Sequence, residues 1–349
     1  MRSRTTSTVV ALDATYAIGP ALSGVGLYSR EILAGLPKLQ PGVQFEFCCR
    51  PHRYSRRAEL PSAPNAKPRL LLDPLWPRGA DLFHGLNQRL PRIRSRRTVA
   101  TFHDLFVMTG EYSTPEFRSR FTAQARDAAG RADLIIAVSA FTASQVVALL
   151  GVPQSKLRVV HHGTRALPSP EIPREKVILN VGAIQKRKNI ARLVEAFETV
   201  DSGWRLVLAG SAGYGAAEIM ERIGRSPARP RISVLGYVSP GELAAWYRRA
   251  MIFAFPSLDE GFGMPLLEAM AAGTPVITSN RSALPEVAGD AALLVDPGDT
   301  TALARGLTDL IRSEELRRDL AQRGIGRARF FTWEKAVLET WQVYKELLP

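Results

Sequence analysis

Cysteine is nearly absent from this chain of 349 residues, which contains only Cys48 and Cys49. Two adjacent cysteines bridge each other only with strain, so no disulfide framework staples the fold. A chain without disulfides is typical of a reducing compartment such as the cytoplasm. The sequence also lacks a Cys/His cluster with the spacing of zinc ligands, which excludes a zinc-stabilised domain.

Long apolar runs are missing as well, and no stretch approaches the roughly 18 residues that span a bilayer. The polar N-terminus leads directly into a short apolar segment at Val9–Leu12. That segment is shorter than the apolar core of a signal peptide, so we expect no export and a cytoplasmic location. A hydrophobic fraction of 46% with 23% charged residues is that of a globular protein, and the length suits two domains.

Acidic residues are scarce in the first half of the chain. Residues 1–170 contain 23 Lys or Arg against 11 Asp or Glu, and so hold +12 of the net charge of +13. The cations form two clusters: Arg50, Arg53, Arg56 and Arg57, and Arg89, Arg92, Arg94, Arg96 and Arg97. A basic face favours an anionic partner such as acidic lipid headgroups, a diphosphate-bearing acceptor or nucleic acid. An arginine-rich host proteome explains the same charge as a solubility feature, and composition leaves both explanations open.

Apolar runs and amphipathic segments alternate through both halves, which predicts parallel βαβ units. We predict strands at 8–14, 43–49, 69–73, 98–103, 133–138 and 156–161, and again at 176–182, 205–210, 231–235, 251–255, 274–278 and 291–295. We predict helices between them at 26–36, 115–130, 140–150, 189–200, 214–224, 240–250 and 264–272. The fold class is therefore α/β, with two doubly wound domains.

The proline-rich segment 167–175 predicts a stiff linker between these domains. The first domain then covers 1–166, the second 176–331, and a helical segment follows at 332–349. Doubly wound sheets bind ligands at the carboxyl ends of their strands. We expect the ligand site in the cleft between the two domains.

Two short motifs in the first half follow predicted strands. Ser23-Gly24-Val25-Gly26 precedes a helix, where backbone N–H groups can approach a phosphate. A glycine pair also suits an ordinary turn. His103 ends another strand and can donate to a sugar hydroxyl or a phosphate, or it can be structural with Asp104 as its partner.

A cationic loop opens the second half, where Gly182 leads through Lys186-Arg187-Lys188 to Asn189. Three cations at a helix N-terminus oppose the helix dipole. That arrangement is favourable when an anion binds there, because the cations and the backbone N–H groups both bind it.

The longest motif runs from Pro256 to Gly273 and contains Glu260 and Glu268. Gly261 and Gly263 free the backbone, and Pro265 suits a first helical turn. We expect Leu266, Leu267 and Met270 to pack inward. The two carboxylates bracket a helix N-terminus, and carboxylates accept hydrogen bonds from the vicinal hydroxyls of a ribose or hexose. Two surface glutamates near a helix start would give the same spacing.

This segment resembles the E-x7-E motif of the retaining GT-B glycosyltransferases of family 4, which include bacterial mannosyl- and glucosyltransferases. The segments Gly273–Ile277 and Leu284–Ala292 are similar to the continuation of that motif. The resemblance extends over essentially the whole chain, through Gly24–Gly26, His103-Asp104, His162-Gly163 and Arg187–Asn189 to the helix at Trp333. It implies two Rossmann-like domains facing across a cleft, with the C-terminal helix crossing back to the N-terminal domain, which binds the acceptor.

The resemblance also implies roles for individual residues. His103 and Glu260 contact the transferred sugar, Glu268 the ribose, and Arg187 and Lys188 the diphosphate. The backbone of Gly24 and of the loop Gly261, Phe262, Gly263 and Met264 assists, and the base lies near Val238. Many relatives have an arginine directly after the strand-ending glycine, whereas this chain has Ala183. Charge neutralisation should therefore depend more on Arg187 and Lys188.

The expected reaction is metal-independent transfer of a hexose from a nucleoside diphosphate sugar, of the GDP-mannose or UDP-glucose type, with retention. The sequence contains no Asp-x-Asp of the kind that holds a divalent ion, and we expect no cofactor. The acceptor is a glycan or a lipid-linked sugar, with peripheral contact to an anionic membrane. Alternatives are a GT-B phosphorylase, a nucleotide-sugar epimerase and a non-catalytic nucleotide-sugar sensor. No helix-turn-helix, zinc-finger or RNP pattern is present, so nucleic acid is not an expected partner.

Overall fold

Two parallel sheets organise the structure, one in each of two units. The computed structural model describes residues 8–75, 79–92, 95–164 and 172–349. Unit 1 comprises Met1–Met108, Pro115–Gly163 and Trp333–Pro349, and unit 2 comprises Thr109–Thr114 and Thr164–Thr332. Among the described residues, no helix has both the length and the apolar character that a membrane crossing requires.

The sheet of unit 1 has seven strands in the order β3-β2-β1-β4-β5-β6-β7, all parallel. The strands are β1 Val9–Asp13, β2 Gln44–Cys49, β3 Ala66–Leu70, β4 Leu82–Gly85, β5 Arg97–Phe102, β6 Leu134–Ala137 and β7 Leu157–Val159. The helices of the first half are α1 Gly24–Leu39, α2 Pro51–Tyr54, α3 Phe106–Thr109, α4 Pro115–Arg131 and α5 Ala140–Leu150. The strand order reverses between β1 and β4, where doubly wound sheets bind ligands.

The central strand β4 was missing from the sequence prediction, which placed six strands in this half. Its four residues are too few to show a periodic pattern, and one of them is the polar His84. Tertiary contacts make the burial of that histidine possible. Its ring nitrogens bond Thr101 Oγ1 (2.8 Å) and the Tyr344 hydroxyl. The strand predicted at 69–73 lies instead at Ala66–Leu70, where it pairs with β2.

The sheet of unit 2 has six parallel strands in the order β10-β9-β8-β11-β12-β13. They are β8 Glu175–Val181, β9 Arg205–Ala209, β10 Ile232–Gly236, β11 Ala250–Phe255, β12 Val276–Ser279 and β13 Leu293–Val295. The helices are α6 Ile190–Glu198, α7 Ala216–Gly224, α8 Pro240–Arg249, α9 Met264–Ala271, α10 Leu284–Ala288, α11 Thr300–Arg312 and α12 Glu314–Ala328. The two sheets confirm the predicted α/β class.

The helices begin where the sequence provides caps. Ser239 and Glu242 form a capping box at the start of α8, with Pro240 in the first turn. Ser139 caps α5, which ends at Gly151 in the left-handed conformation with a φ of 67°. These local signals explain why the sequence placed α5 and α8 within one residue of their observed ends.

The last helix, α13 (Trp333–Lys345), packs against α1 in unit 1. Gly35 of α1 allows this close approach, because a Cβ there would lie 2.4 Å from Val337 Cγ2. A buried polar chain adds to the packing. The Tyr344 hydroxyl contacts His84, and His84 and the Tyr28 hydroxyl (2.9 Å) both contact Thr101 Oγ1.

The predicted linker 167–175 lies partly outside the described residues, which omit 165–171. Its described end belongs to unit 2. The Arg174 guanidinium donates five hydrogen bonds of 2.6–3.0 Å, to the carbonyls of Tyr247, Ala250, Ala272 and Gly273 and to the Thr274 hydroxyl. Arg174 therefore anchors the start of β8 and is not part of a free spacer.

Candidate active site

The loop after β8 contains the predicted cations, and hydrogen bonds from Asn189 fix it to neighbouring loops. It returns through a 3-10 turn at Lys186–Lys188 before α6 begins. Asn189 follows the turn with a φ of 58°, a left-handed conformation that asparagine tolerates. Its side-chain amide donates to the carbonyls of Pro256 (3.1 Å) and Pro297 (2.7 Å). Asn189 thereby ties this loop to the loop after β11.

Gly182 and Gly210 bring the ends of β8 and β9 together. A Cβ on Gly210 would lie 1.9 Å from the Gly182 carbonyl oxygen, so no other residue fits without moving the backbone. A Cβ on Gly182 would lie 3.1 Å from Lys188 Cε. The small residue at 182 leaves room for the Lys188 side chain to cross the end of β8.

Arg187, Lys188 and Glu260 form one buried cluster. Arg187 Nη1 lies 2.8 Å from Glu260 Oε2, and Lys188 Nζ lies 2.5 Å from Glu260 Oε1. Arg187 also donates to the Asp259 carbonyl, and Lys188 Nζ lies 4.6 Å from the centre of the Phe255 ring. All three charged side chains are 9% exposed. Each oxygen of the carboxylate thus has its own cation.

The cluster holds two positive charges against one negative charge. Burial raises the pKa of Glu260, but the nearby charges of Arg187 and Lys188 outweigh burial and hold that pKa at about 2. Glu260 is therefore ionised at neutral pH. The cluster keeps one excess positive charge at the carboxyl end of the sheet.

The three predicted cations lie directly ahead of the N-terminus of α6, but they do not form one cluster. The three residues form the 3-10 turn ahead of α6, and their side chains separate. Lys186 is exposed and its Nζ lies 2.9 Å from Glu218 Oε2. Only Arg187 and Lys188 enter the buried cluster. Their direct pairing with Glu260, which lies 72 positions after Lys188, was not predicted from the sequence.

Helix α9 begins next to this cluster in the chain, with Gly263 as its N-cap. The φ of Gly263 is 99°, and a Cβ there would lie 2.7 Å from Leu284 Cδ2. Gly263 has no side chain with which to cap the helix, and Pro265 in the first turn has no N–H. A helix start without a side-chain cap is suited to an anion. Leu266, Leu267 and Met270 are fully buried, which confirms their predicted inward packing.

Glu268 lies one turn into α9 and accepts a hydrogen bond of 2.8 Å from the Tyr247 hydroxyl. The tyrosine is fully buried, and burial together with the charge of Glu268 raises its pKa well above the ordinary range. Tyr247 therefore remains a donor at every physiological pH and orients the carboxylate. Sequence reasoning missed Tyr247, which stands 21 positions before Glu268 on another helix.

Three further residues predicted to contact the donor are Phe262, Val238 and Met264. The Phe262 ring packs edge-on against Phe331 at 5.8 Å and is 4% exposed, so this residue presents its backbone. Val238 lies between β10 and α8, at the carboxyl end of the same parallel sheet, and is partly exposed. Met264 is partly buried at the first position of α9.

Three polar residues near the cluster were not predicted. The Ser282 hydroxyl accepts the backbone N–H of Glu260 at 3.1 Å. Asp259 accepts a 2.8 Å hydrogen bond from the Thr109 hydroxyl. Thr109 belongs to the short segment Thr109–Thr114, which is part of unit 2 although it is encoded in the first half. No local motif signals that placement.

Within the described residues, no three His, Cys, Asp or Glu side chains converge as a metal site would require.

His103 and Gly24 belong to unit 1. His103 is buried, and its Nε2 lies 2.9 Å from the Leu86 carbonyl. A carbonyl only accepts, so Nε2 carries the proton and Nδ1 accepts from His162 Nε2 at 3.2 Å. Burial lowers the pKa of His103 to about 4 against the opposing effect of the Leu86 bond, so the ring is neutral at pH 7. Gly24 is the exposed first residue of α1, with Ser23 as N-cap.

Two doubly wound units, with a buried cation–carboxylate cluster beside a helix start, define a protein of the GT-B class. Solved structures of similar fold agree. Sucrose-phosphate synthase from Thermosynechococcus elongatus has a TM-score of 0.77 at 22% identity, over 97% of this chain and 99% of that one. Anabaena HepE in complex with UDP and glucose has a TM-score of 0.72 at 17% identity, over 98% and 99%.

The chain belongs to the family 4 glycosyltransferases. Residues 22–165 match the family described as Glycosyltransferase Family 4, and residues 167–327 match Glycosyl transferases group 1. The O-antigen chain mannosyltransferase B of Escherichia coli is 32% identical over 284 residues, which cover 76% of this chain and 74% of that protein. The protein is therefore a glycosyltransferase.

The buried cluster generates a prediction about stability. Glu260→Gln removes the carboxylate that both buried cations bind, and we expect it to lower the free energy of unfolding by about 3–5 kcal/mol. The difference in the free energy of unfolding between variant and wild type should be full above pH 4.5, the ordinary pKa of a glutamate. It should decrease as the pH falls towards about 2, because the carboxylate of the folded wild type then becomes protonated. Urea unfolding over that pH range measures it.

The matched control is Glu218→Gln, which removes the exposed partner of Lys186. This pair lies in solvent, so we expect no measurable loss of stability. Equal, small effects of the two substitutions at pH 7 would contradict the view that Glu260 holds the two loops together.

Proposed function

We propose that this glycosyltransferase moves a hexose from a nucleoside diphosphate sugar to a glycan or lipid-linked acceptor, with retention and without a metal ion. The main support for this proposal is the buried cluster of Arg187, Glu260 and Lys188. Glu260 precedes by a few residues the start of α9, which has no side-chain cap. A diphosphate brings the negative charge that this region lacks.

The donor diphosphate binds Arg187 and Lys188 in this proposal. A guanidinium has five N–H donors and an ammonium three, so both cations can keep a bond to Glu260 while they bind phosphate oxygens. The start of α9 adds backbone N–H groups and the positive end of the helix dipole. These charges are fixed before the reaction, and a preorganised site stabilises charge as it develops.

Carboxylates bind the two sugars of the donor. Glu268, held by Tyr247, accepts from the ribose hydroxyls, and Glu260 accepts from the transferred hexose. The backbone of Gly261–Met264 and of Val238 completes the donor contacts. The contacts of Gly24 and His103 with the donor remain predictions from the family resemblance. The name of the E. coli relative favours mannose as the sugar, with GDP-mannose as its donor and UDP-glucose as the second choice.

The bond between the hexose C1 and the diphosphate oxygen breaks first in the proposed mechanism, and the electron pair leaves with the diphosphate. Positive charge grows on the ring and negative charge on the phosphate beside Arg187 and Lys188. The acceptor hydroxyl attacks C1 from the face that the diphosphate leaves, and its proton passes to the departing phosphate oxygen. This same-face attack rests on family analogy.

The proposal also includes peripheral contact of unit 1 with an anionic membrane, because nearly the whole positive excess lies in the first half. Each cation near such a surface contributes about 1 kcal/mol, screened within a Debye length. We expect salt-sensitive co-sedimentation with phosphatidylglycerol vesicles and none with neutral vesicles. Equal, negligible binding to both would leave the charge as a solubility feature and favour a soluble acceptor.

Glu260→Ala should lower transfer by orders of magnitude while nucleoside diphosphate binding survives. Loss of the carboxylate removes the proposed sugar contact and leaves both cations able to bind phosphate.

Thermal-shift screening against UDP, GDP, ADP and dTDP identifies the nucleotide, since a ligand stabilises the folded state by mass action. Product analysis with that labelled donor, with and without acceptor, then measures transfer and separates it from phosphorolysis, epimerisation and mere binding. Near-wild-type turnover of the variant would refute the role of Glu260.

Activity should persist in EDTA, because Arg187 and Lys188 neutralise the departing diphosphate in the proposed mechanism. Rates with a labelled donor are compared before and after chelation, and after addition of Mg²⁺ or Mn²⁺. Loss of activity that either ion restores would show that the phosphate site has been misassigned.

A further inference from the structure

Unit 1 contains a cavity of about 330 Å³ at the carboxyl end of β1. Its wall consists of residues 15–16 and 18–23, which lead into α1, and of four basic side chains: Arg50, His52, Arg53 and Arg89. No aspartate or glutamate lines this cavity. Its volume suits a small polar group with part of an attached sugar.

Arg53 and Arg89 of this cavity differ from several other arginines of unit 1 in their partners. Arg69, Arg97, Arg131 and Arg158 each pair with a carboxylate. In contrast, the guanidinium groups of Arg53 and Arg89 make no ion pair or hydrogen bond with any residue that the structure describes. Arg53 Nη1 lies 3.6 Å from the position of a Cβ on Gly19, so Arg53 extends over the chain that leads to α1. Neither of these two guanidinium groups is therefore paired with a carboxylate, although Glu59 Oε2 accepts a 3.2 Å hydrogen bond from the Gly19 N–H in the cavity wall.

Arg50 adds a partly satisfied third cation. One of its terminal nitrogens lies 3.6 Å from Asp13 Oδ2, and its side chain is 15% exposed. The Arg50 Nε–H is buried and has no hydrogen-bond partner among the described residues. A buried donor without an acceptor costs about 1–3 kcal/mol, and more on a charged group. An oxyanion in the cavity would supply the acceptor.

Helix α1 begins at the same wall. It has 16 residues and no acidic residue in its first turn, and its N-cap Ser23 lines the cavity. The positive end of its dipole favours an anion at this place. Unpaired guanidinium groups, a buried unsatisfied N–H and a helix start thus converge on one pocket.

We propose that this cavity binds a phosphate or diphosphate group carried by the acceptor, held by Arg50, Arg53 and Arg89. Arginine forks match the geometry of phosphate oxygens, and a diphosphate offsets the charges of the two unpaired guanidinium groups. The assignment to the acceptor rests on the proposed function, in which Arg187 and Lys188 of unit 2 hold the donor diphosphate and unit 1 contributes only the backbone of Gly24 to it. The acceptor class is therefore a glycosyl phosphate or diphosphate.

Calorimetric titration of the full chain with inorganic pyrophosphate tests the cavity without relying on catalysis. The titration is done at fixed ionic strength with the donor site saturated by the best nucleoside diphosphate of the thermal-shift screen. Arg53→Gln with Arg89→Gln should weaken pyrophosphate binding by about tenfold or more. The control is Arg120→Gln with Arg126→Gln, which removes the same charge from exposed positions on α4 and should bind like the wild type. Equal affinity in all three proteins, or no binding to the wild type, overturns the cavity assignment.

Two further measurements identify the source of the phosphate. If the acceptor carries it, the cavity variant raises the KM for a phosphorylated acceptor and leaves donor hydrolysis unchanged, and its co-sedimentation with phosphatidylglycerol vesicles equals that of the control. Selective loss of vesicle binding instead would assign the cavity to a lipid headgroup and overturn the acceptor role. Pyrophosphate binding that persists in a protein without transfer activity would refute the proposed function and leave the anion site standing.

Discussion

The ion pairs of Glu260 with Arg187 and Lys188 are the interaction on which unit 2 depends. They join the loop after β8 to the loop after β11 at the carboxyl end of the sheet, and all three charged groups are almost fully buried. Buried charges are stable only when they are paired and hydrogen-bonded, so the two loops hold one arrangement. The hydrogen bonds of Asn189 and the N–H of Leu258 on the Arg187 carbonyl (2.8 Å) support the same junction.

This arrangement connects stability with the proposed chemistry. Two cations around one carboxylate leave an excess positive charge in a region of low solvent exposure. A bound diphosphate would neutralise the excess positive charge of the cluster. The buried charges therefore favour the same anion that the protein is proposed to bind. The cluster is thus positioned before any substrate arrives, which is what electrostatic catalysis requires.

In unit 1 a buried hydrogen-bonded chain of neutral polar groups, and not an ion-pair cluster, links the elements of the core. A buried chain of polar groups runs through Tyr28, Thr101, His84 and Tyr344, and it links α1, the central strands and α13. Burial lowers the pKa of His84 to about 3, so the chain remains uncharged at neutral pH and needs no counterion. The buried carboxylates of this unit, Asp13 and Glu46, are instead paired with Arg50 and with Lys67 and Arg69.

The sequence by itself determined the α/β class, the described strands other than β4, the helices α1, α4 to α9 and α13, and the E-x7-E segment, because periodicity, caps and a long contiguous motif are local properties. It also identified Arg187, Lys188, Glu260 and Glu268 individually. Only the tertiary structure decided that Glu260 pairs with both cations, that Lys186 turns away to Glu218, and that Tyr247 holds Glu268. It also decided that β4 fills the centre of its sheet and that Arg50, Arg53 and Arg89 share a cavity. Each of these features involves residues that are distant in the chain. Crossover connections between parallel strands bring such residues together, and no local sequence pattern encodes which residues meet.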